Sequence, residues 1–163
     1  MTELFLEDVM SDKGITYGVV KPEDHDPNGI PLIKAADVSN GSINLKTSHR
    51  ITPTKHLEHR RTELQGGEIL LTLVGTPGMC AIAPREAKGC NVVRAIGVFE
   101  VLPSYDNRFV MYSLHSKVSQ HYIRNICNTT VQATLNLGDV RKLPLSIPPL
   151  PEQKAIAHIL GTL

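Results

Sequence analysis

The sequence predicts an α+β fold: a strand-rich domain on a twisted mixed β-sheet with a few helices, followed by the start of another helix. Three observations point to it. Short apolar runs bounded by Gly, Pro and Asn recur through the first hundred residues. One longer stretch, residues 106–127, carries helical spacing. Near the end, Leu143–Ile147 reads as a strand that runs into Pro148-Pro149-Leu150-Pro151 and hands over to a helix.

Residues 3–10 suit a short helical turn. Ile15–Val20 and Pro31–Ala35 read as strands, separated by the turn-rich Pro22–Gly29. Asn40-Gly41 is a hairpin signal, because both residues accept positive φ; it joins Ala36–Val38 to Ser42–Leu45. Residues 46–62 are polar and basic, a loop with a helical turn near 54–59. Glu68–Val74 is a continuous apolar run, hence a buried strand, and Met79–Ala83 pairs with it across Gly75-Thr76-Pro77-Gly78. Asn91–Leu102 alternates well enough for one long strand. Residues 106–127 form one helix or two in succession, with Val110, Leu114, Val118, Tyr122 and Ile126 as an apolar stripe. Gly138–Leu143 is a turn of helix. Pro151 fits the first position of the last helix, where its missing N–H costs nothing, and Glu152 suits the dipole in the first turn. Ile156, Ile159 and Leu160 lie on one face of that helix and need a partner.

Composition is that of an ordinary soluble globular protein, 41% hydrophobic and 20% charged. No apolar run approaches the ~20 residues that span a membrane, and no secretory signal is visible. Cys80, Cys90 and Cys127 lack metal or disulfide spacing and read as reduced core fillers in a cytoplasmic protein. A net charge of +1 excludes a general DNA-coating protein. Its distribution is uneven: residues 1–29 hold seven acids and two lysines, whereas 34–61 hold six cations and two acids, with three histidines. That permits one polyanion-facing side; the alternative is a solvated loop whose charges pair locally.

No motif for catalysis emerges. The phosphate-binding loop, the adenine methyltransferase motifs and the nucleophile elbow are all absent from the sequence. Glu152-x-Lys154 lacks the upstream half of a nuclease signature. His56-x-x-His59 with His49 could start a metal site, but no second ligand pair accompanies it. No catalytic residue and no metal are therefore expected. The few aromatic residues form no platform for single-stranded bases, so duplex recognition fits better.

Three segments carry a resemblance. Ile147–Leu160, "IPPLPEQKAIAHIL", is similar to the end of a target recognition domain in specificity subunits of type I restriction-modification enzymes. Gly67–Gly78 resembles the family's Gly-Asp-Ile-Leu-Leu-Thr hairpin, and Asn128–Asn136 its Gln-Leu/Ile-Asn stretch before the last strand. They come in family order, and the opening also fits.

The resemblance implies a DNA-recognition domain over 1–148 and the start of a spacer helix over 149–163. It implies duplex DNA as ligand and one half of a two-part site as target. Partners would be the modification subunit, which methylates adenine with S-adenosylmethionine, indirectly the restriction subunit, and a second specificity half. The domain itself would be no enzyme and would carry no cofactor. Having one domain, the chain reads as a half-subunit, a truncated product or an excised piece.

Bases are read by Arg, Lys, Asn, Gln, Ser and Thr, and phosphates are gripped by Lys and Arg. The candidates are Asn44, Lys46, Thr47, Ser48, Arg50, Lys55, Arg60 and Arg61 in the basic loop, then Arg124, Asn125, Thr129, Thr130 and Gln132. Glu152, Gln153, Ile156, Ile159 and Leu160 are the candidates for the spacer and its partner. Two other readings stay open: an interaction module or decoy that occupies the modification subunit, and a fragment of a fused restriction-modification polypeptide.

Overall fold

The two ends of the domain are paired. In the computed structural model, which describes residues 1–46, 49–127 and 132–163, strand β1 (Thr2–Phe5) runs antiparallel to β11 (Pro144–Ile147), from Thr2 opposite Ile147 to Phe5 opposite Pro144. The helical turn expected over 3–10 is therefore shorter, a 3-10 turn at Leu6–Val9. The Phe5 N–H donates to Asp8 at 2.8 Å and starts it. Residues 2–5 turn to strand because a remote strand supplies their hydrogen bonds.

The centre is an antiparallel sheet in the order β2 (Thr16–Tyr17), β10 (Ile96–Phe99), β7 (Ile69–Thr72), β8 (Cys80–Ile82). Every residue of β7 and β10 is buried, which explains the unbroken apolar run. Ile69, Leu71 and Phe99 face one core, shared with the helices; Leu70, Ile96 and Val98 face a second core. Cys80 belongs to the first, as a core filler. Burial pushes its thiol up to about 12.

The long strand expected over 91–102 is two strands. Ile96 N–H closes a turn onto the Val93 carbonyl at 3.0 Å. The turn hands the chain from β9 (Asn91–Val92) to β10. β9 pairs in parallel with β3 (Ile30–Ile33), which pairs antiparallel with β6 (Arg50–Ile51) to make a small mixed sheet. Gly18 allows the two sheets to meet: a Cβ there would lie 2.1 Å from the Val92 carbonyl oxygen. β4 (Val38–Ser39) and β5 (Ser42–Ile43) form the expected hairpin, with Gly41 at φ +84° and Asn40 not in the left-handed region.

Helix α1 (Pro53–Glu58) is capped by Thr52, whose hydroxyl accepts the Lys55 N–H at 3.1 Å. The segment 106–127 is two helices, α2 (Asn107–His115) and α3 (Lys117–Ile126), divided at Ser116, which is extended and caps α3. The division resets the expected stripe. Val110 and Leu114 are buried, but Val118 is 73% exposed, and Ser119 and Ile123 become the inner residues of α3. α4 (Leu137–Arg141) precedes β11.

The last helix, α5 (Leu150–Gly161), packs on α2. The face it turns to the domain is not centred on the Ile156, Ile159 and Leu160 stripe expected to need a partner. Gln153 is 2% exposed and Ala157 is fully buried, whereas Ile159 and Leu160 are 60% and 37% exposed; Ile156 is partly buried against the core. Gln153 accepts the Asp106 N–H at 2.9 Å and donates to the Pro148 carbonyl at 2.9 Å. It ties α5 to the start of α2. Gln153→Ala leaves buried polar groups unpaired and should cost about 1–3 kcal/mol in urea denaturation. Ile159→Ala, on the open side, should change stability by less than about 0.5 kcal/mol; equal losses would contradict this placement of α5.

Candidate nucleic-acid interface

The basic loop is sorted by its own contacts. Asn44 and Lys46 are exposed, and the Asn44 carbonyl oxygen accepts the Lys46 N–H at 3.0 Å in a side-chain-closed turn. Thr47 and Ser48 lie outside the described residues. Arg50 is engaged within the domain: its guanidinium donates to the Gly29 carbonyl at 3.0 Å and its N–H to His25 Nδ1 at 3.0 Å. Lys55 is largely covered, with Nζ 3.5 Å from Glu58 and 3.8 Å from Glu23. Arg60 and Arg61 are different. Both lie on the 3-10 turn Arg60–Thr62, both are exposed, and neither pairs with a carboxylate among the described residues.

A buried polar network sits under that turn. Asn91, fully buried at the start of β9, accepts the Thr62 hydroxyl at 2.7 Å and the Val92 N–H at 2.9 Å. Its NH₂ therefore donates to the His59 carbonyl at 3.0 Å and to His56 Nδ1 at 3.1 Å. With Nδ1 accepting, His56 carries its proton on Nε2 and donates to Glu63 at 2.6 Å. His59 is likewise occupied: Nδ1 donates to the Lys55 carbonyl at 3.2 Å and Nε2 accepts the Val20 N–H at 3.4 Å. All four ring nitrogens have partners, so the pair is a structural fastening. No group of three candidate ligands capable of holding a metal occurs among the described residues.

Arg61 and His59 line an open groove of about 390 Å³ along the edge strand β2. Leu137 and Arg141 of α4, Tyr17 of β2 and Lys13 also line it. Tyr17 is 51% exposed. Lys13, Tyr17 and Arg141 were not singled out from the sequence. Lys13 belongs to the acidic N-terminal stretch and Arg141 to a short helix eighty residues beyond the basic loop, so no local charge pattern marked them.

The second set of candidates gathers elsewhere. Arg124 and Asn125 are exposed on α3, and the Asn125 NH₂ lies 3.1 Å from His121 Nε2. Gln120 donates from the same helix to the Gly78 carbonyl at 3.1 Å and fastens the Gly75–Gly78 turn. At Gly78, φ is +96°, and a Cβ would meet Gln120 and Ile123. Gln132 is exposed beside Gly75, whose N–H donates to the Ala133 carbonyl at 3.0 Å. Thr129 and Thr130 lie outside the described residues. Of the candidates on α5, Glu152 is exposed in its first turn.

Residues 3–163 match the model of the type I restriction modification DNA specificity domain. The chain belongs to this family. It is 29% identical over 161 residues to the type I restriction enzyme EcoBI specificity subunit of Escherichia coli, covering 96% of this chain and 33% of that protein. Its fold matches the type I restriction-modification S subunit from M. genitalium (TM-score 0.65, 18% identity, 99% of this chain and 38% of that one). It matches the HsdS subunit from Thermoanaerobacter tengcongensis equally (TM-score 0.65, 18% identity, 99% and 36%). A chain from a structure of type I R-M complex assembly gives a TM-score of 0.68 at 18% identity, with 99% and 37% covered. The chain thus spans about a third of the length of these relatives. None of the helices among the described residues is long and apolar enough to cross a membrane.

The buried network has a pH signature. The His56 hydrogen bond holds the Glu63 carboxyl below its ordinary value of 4.5, partial burial opposes this, and Gln65 and Arg60 add to the lowering. The unfolded carboxyl protonates first as pH falls, so the stabilisation is full above 4.5 and is lost as pH drops through the folded value. The stability gap between wild type and Glu63→Gln should hold above pH 4.5 and narrow as pH falls below it. A gap that ignores pH would exclude the His56–Glu63 bond.

Proposed function

We propose that this domain recognises one half of a bipartite duplex DNA site for a type I restriction-modification system. It does no chemistry itself; it directs a modification subunit that methylates adenine and, through that assembly, a restriction subunit that cleaves. The family match over residues 3–163 carries this reading. Arg60, Arg61 and Arg124, exposed, and Arg141, half-buried, make no ion pair with a carboxylate among the described residues, which agrees with it. Arg50 and Lys55, engaged internally, are read as supports of the proposed recognition surface, and Asn44, Lys46, Asn125 and Gln132 are the exposed groups suited to base edges.

α5 is read as the beginning of a spacer helix leaving a domain that ends near residue 148. Its inner residues Gln153 and Ala157 set the exit angle, and Ile159 and Leu160 offer the apolar stripe that a second spacer helix would cover. The site of action is the cytoplasm, where the DNA lies.

Selection from randomised duplex DNA, with the chain alone and with a modification subunit, tests the function. One short enriched motif is the expected result. Enrichment only with the partner would assign part of the affinity to it. No enrichment in either case, at low salt where phosphate contacts are strongest, would overturn the DNA reading in favour of a decoy that occupies the modification subunit.

A further inference from the structure

We infer that the groove along β2 is a phosphodiester-binding track, gripped by Arg61 and Arg141 of its lining, and that it sets the register of the duplex without reading its bases. The inference deepens the DNA reading and rests on it.

The first argument is the balance of donors and acceptors. Glu58, a carboxylate in the groove lining, lies 3.5 Å from Lys55. His59 has both ring nitrogens occupied, and the Thr62 hydroxyl donates to Asn91. The lining sets one carboxylate, Glu58, still 57% exposed, against three cations, Lys13, Arg61 and Arg141, and the two guanidiniums make no hydrogen bond or ion pair among the described residues. A surface that offers charged donors and few free acceptors suits a ligand that only accepts. A phosphodiester only accepts, whereas base edges present donors and acceptors together. The exposed Tyr17 adds a hydroxyl donor on an aromatic ring.

The second argument is rigidity. Arg61 stands on a three-residue 3-10 turn, which has little stability alone. Under it, Asn91 makes four hydrogen bonds and is fully buried, and His56 and Glu63 complete the network. Arg141 stands on α4, capped by Asn136, whose side chain accepts the Asp139 N–H at 2.9 Å. The fastened turns spare a ligand the cost of ordering the backbone, while each guanidinium still gives up rotamer freedom on contact.

The test is the salt dependence of duplex binding for wild type, the double variant Arg61→Gln/Arg141→Gln, and Lys154→Gln, a charge loss on α5 away from the groove. Arg61 is exposed and Arg141 half-buried, and neither guanidinium makes a hydrogen bond or ion pair among the described residues, so the double variant should keep the wild-type urea midpoint. It should select the same motif as wild type. The slope of log affinity against log salt should fall by about two, so its deficit shrinks about tenfold between 50 and 200 mM salt. Lys154→Gln should keep the wild-type slope. An unchanged slope in the double variant overturns the groove alone, as does an altered motif or an equal effect of Lys154→Gln. Failure of wild type to bind any duplex at low salt overturns the DNA reading, and the groove with it.

Discussion

β7 and β10 lie side by side with every residue buried, and that burial on both faces orders the rest of the domain. A sheet closed to water on both sides must carry a layer on each. One side receives α2, α3, α4 and the paired chain ends, gathered around Ile69, Leu71 and Phe99. The other receives β9 with the β4–β5 hairpin, around Leu70, Ile96 and Val98. The edge strand β2 stays partly open, and the groove follows it.

The small mixed sheet carries the polar counterpart. Asn91 opens β9 with its amide wholly engaged, and its partners come from α1 and the turn that follows. A buried polar network is stabilising only when every member is satisfied, and here the members satisfy one another. The same residues that looked like the start of a metal site, His56 and His59, are what holds the basic turn in place. The proposed recognition surface and the fold thus share one set of hydrogen bonds.

Much of the local structure was legible. Asn40-Gly41 turned as its composition suggested, Glu68–Val74 was buried as its continuous apolar run required, and the Pro151 helix start stood where proline is tolerated. Ser116 shows where pattern reading lost its way. Its cap divides residues 106–127 into two helices, and a four-residue periodicity drawn through the division placed Val118 inside. Gln153 shows the converse: a polar residue buried by two hydrogen bonds that no hydrophobic pattern marks.

By itself the sequence determined the family, the element types and most of the turns, because caps, proline positions and short apolar runs act through neighbours along the chain. The tertiary structure decided three other things: that 91–102 changes sheets, that α5 turns Gln153 and Ala157 inward, and which cations remain unpaired. Each depends on residues far apart in sequence. Arg50 is engaged because the Gly29 carbonyl happens to lie beside it, and Arg61 is available because no carboxylate among the described residues comes within ion-pair distance of it. Periodicity reports that a residue will be buried or charged; only the folded chain decides what it meets.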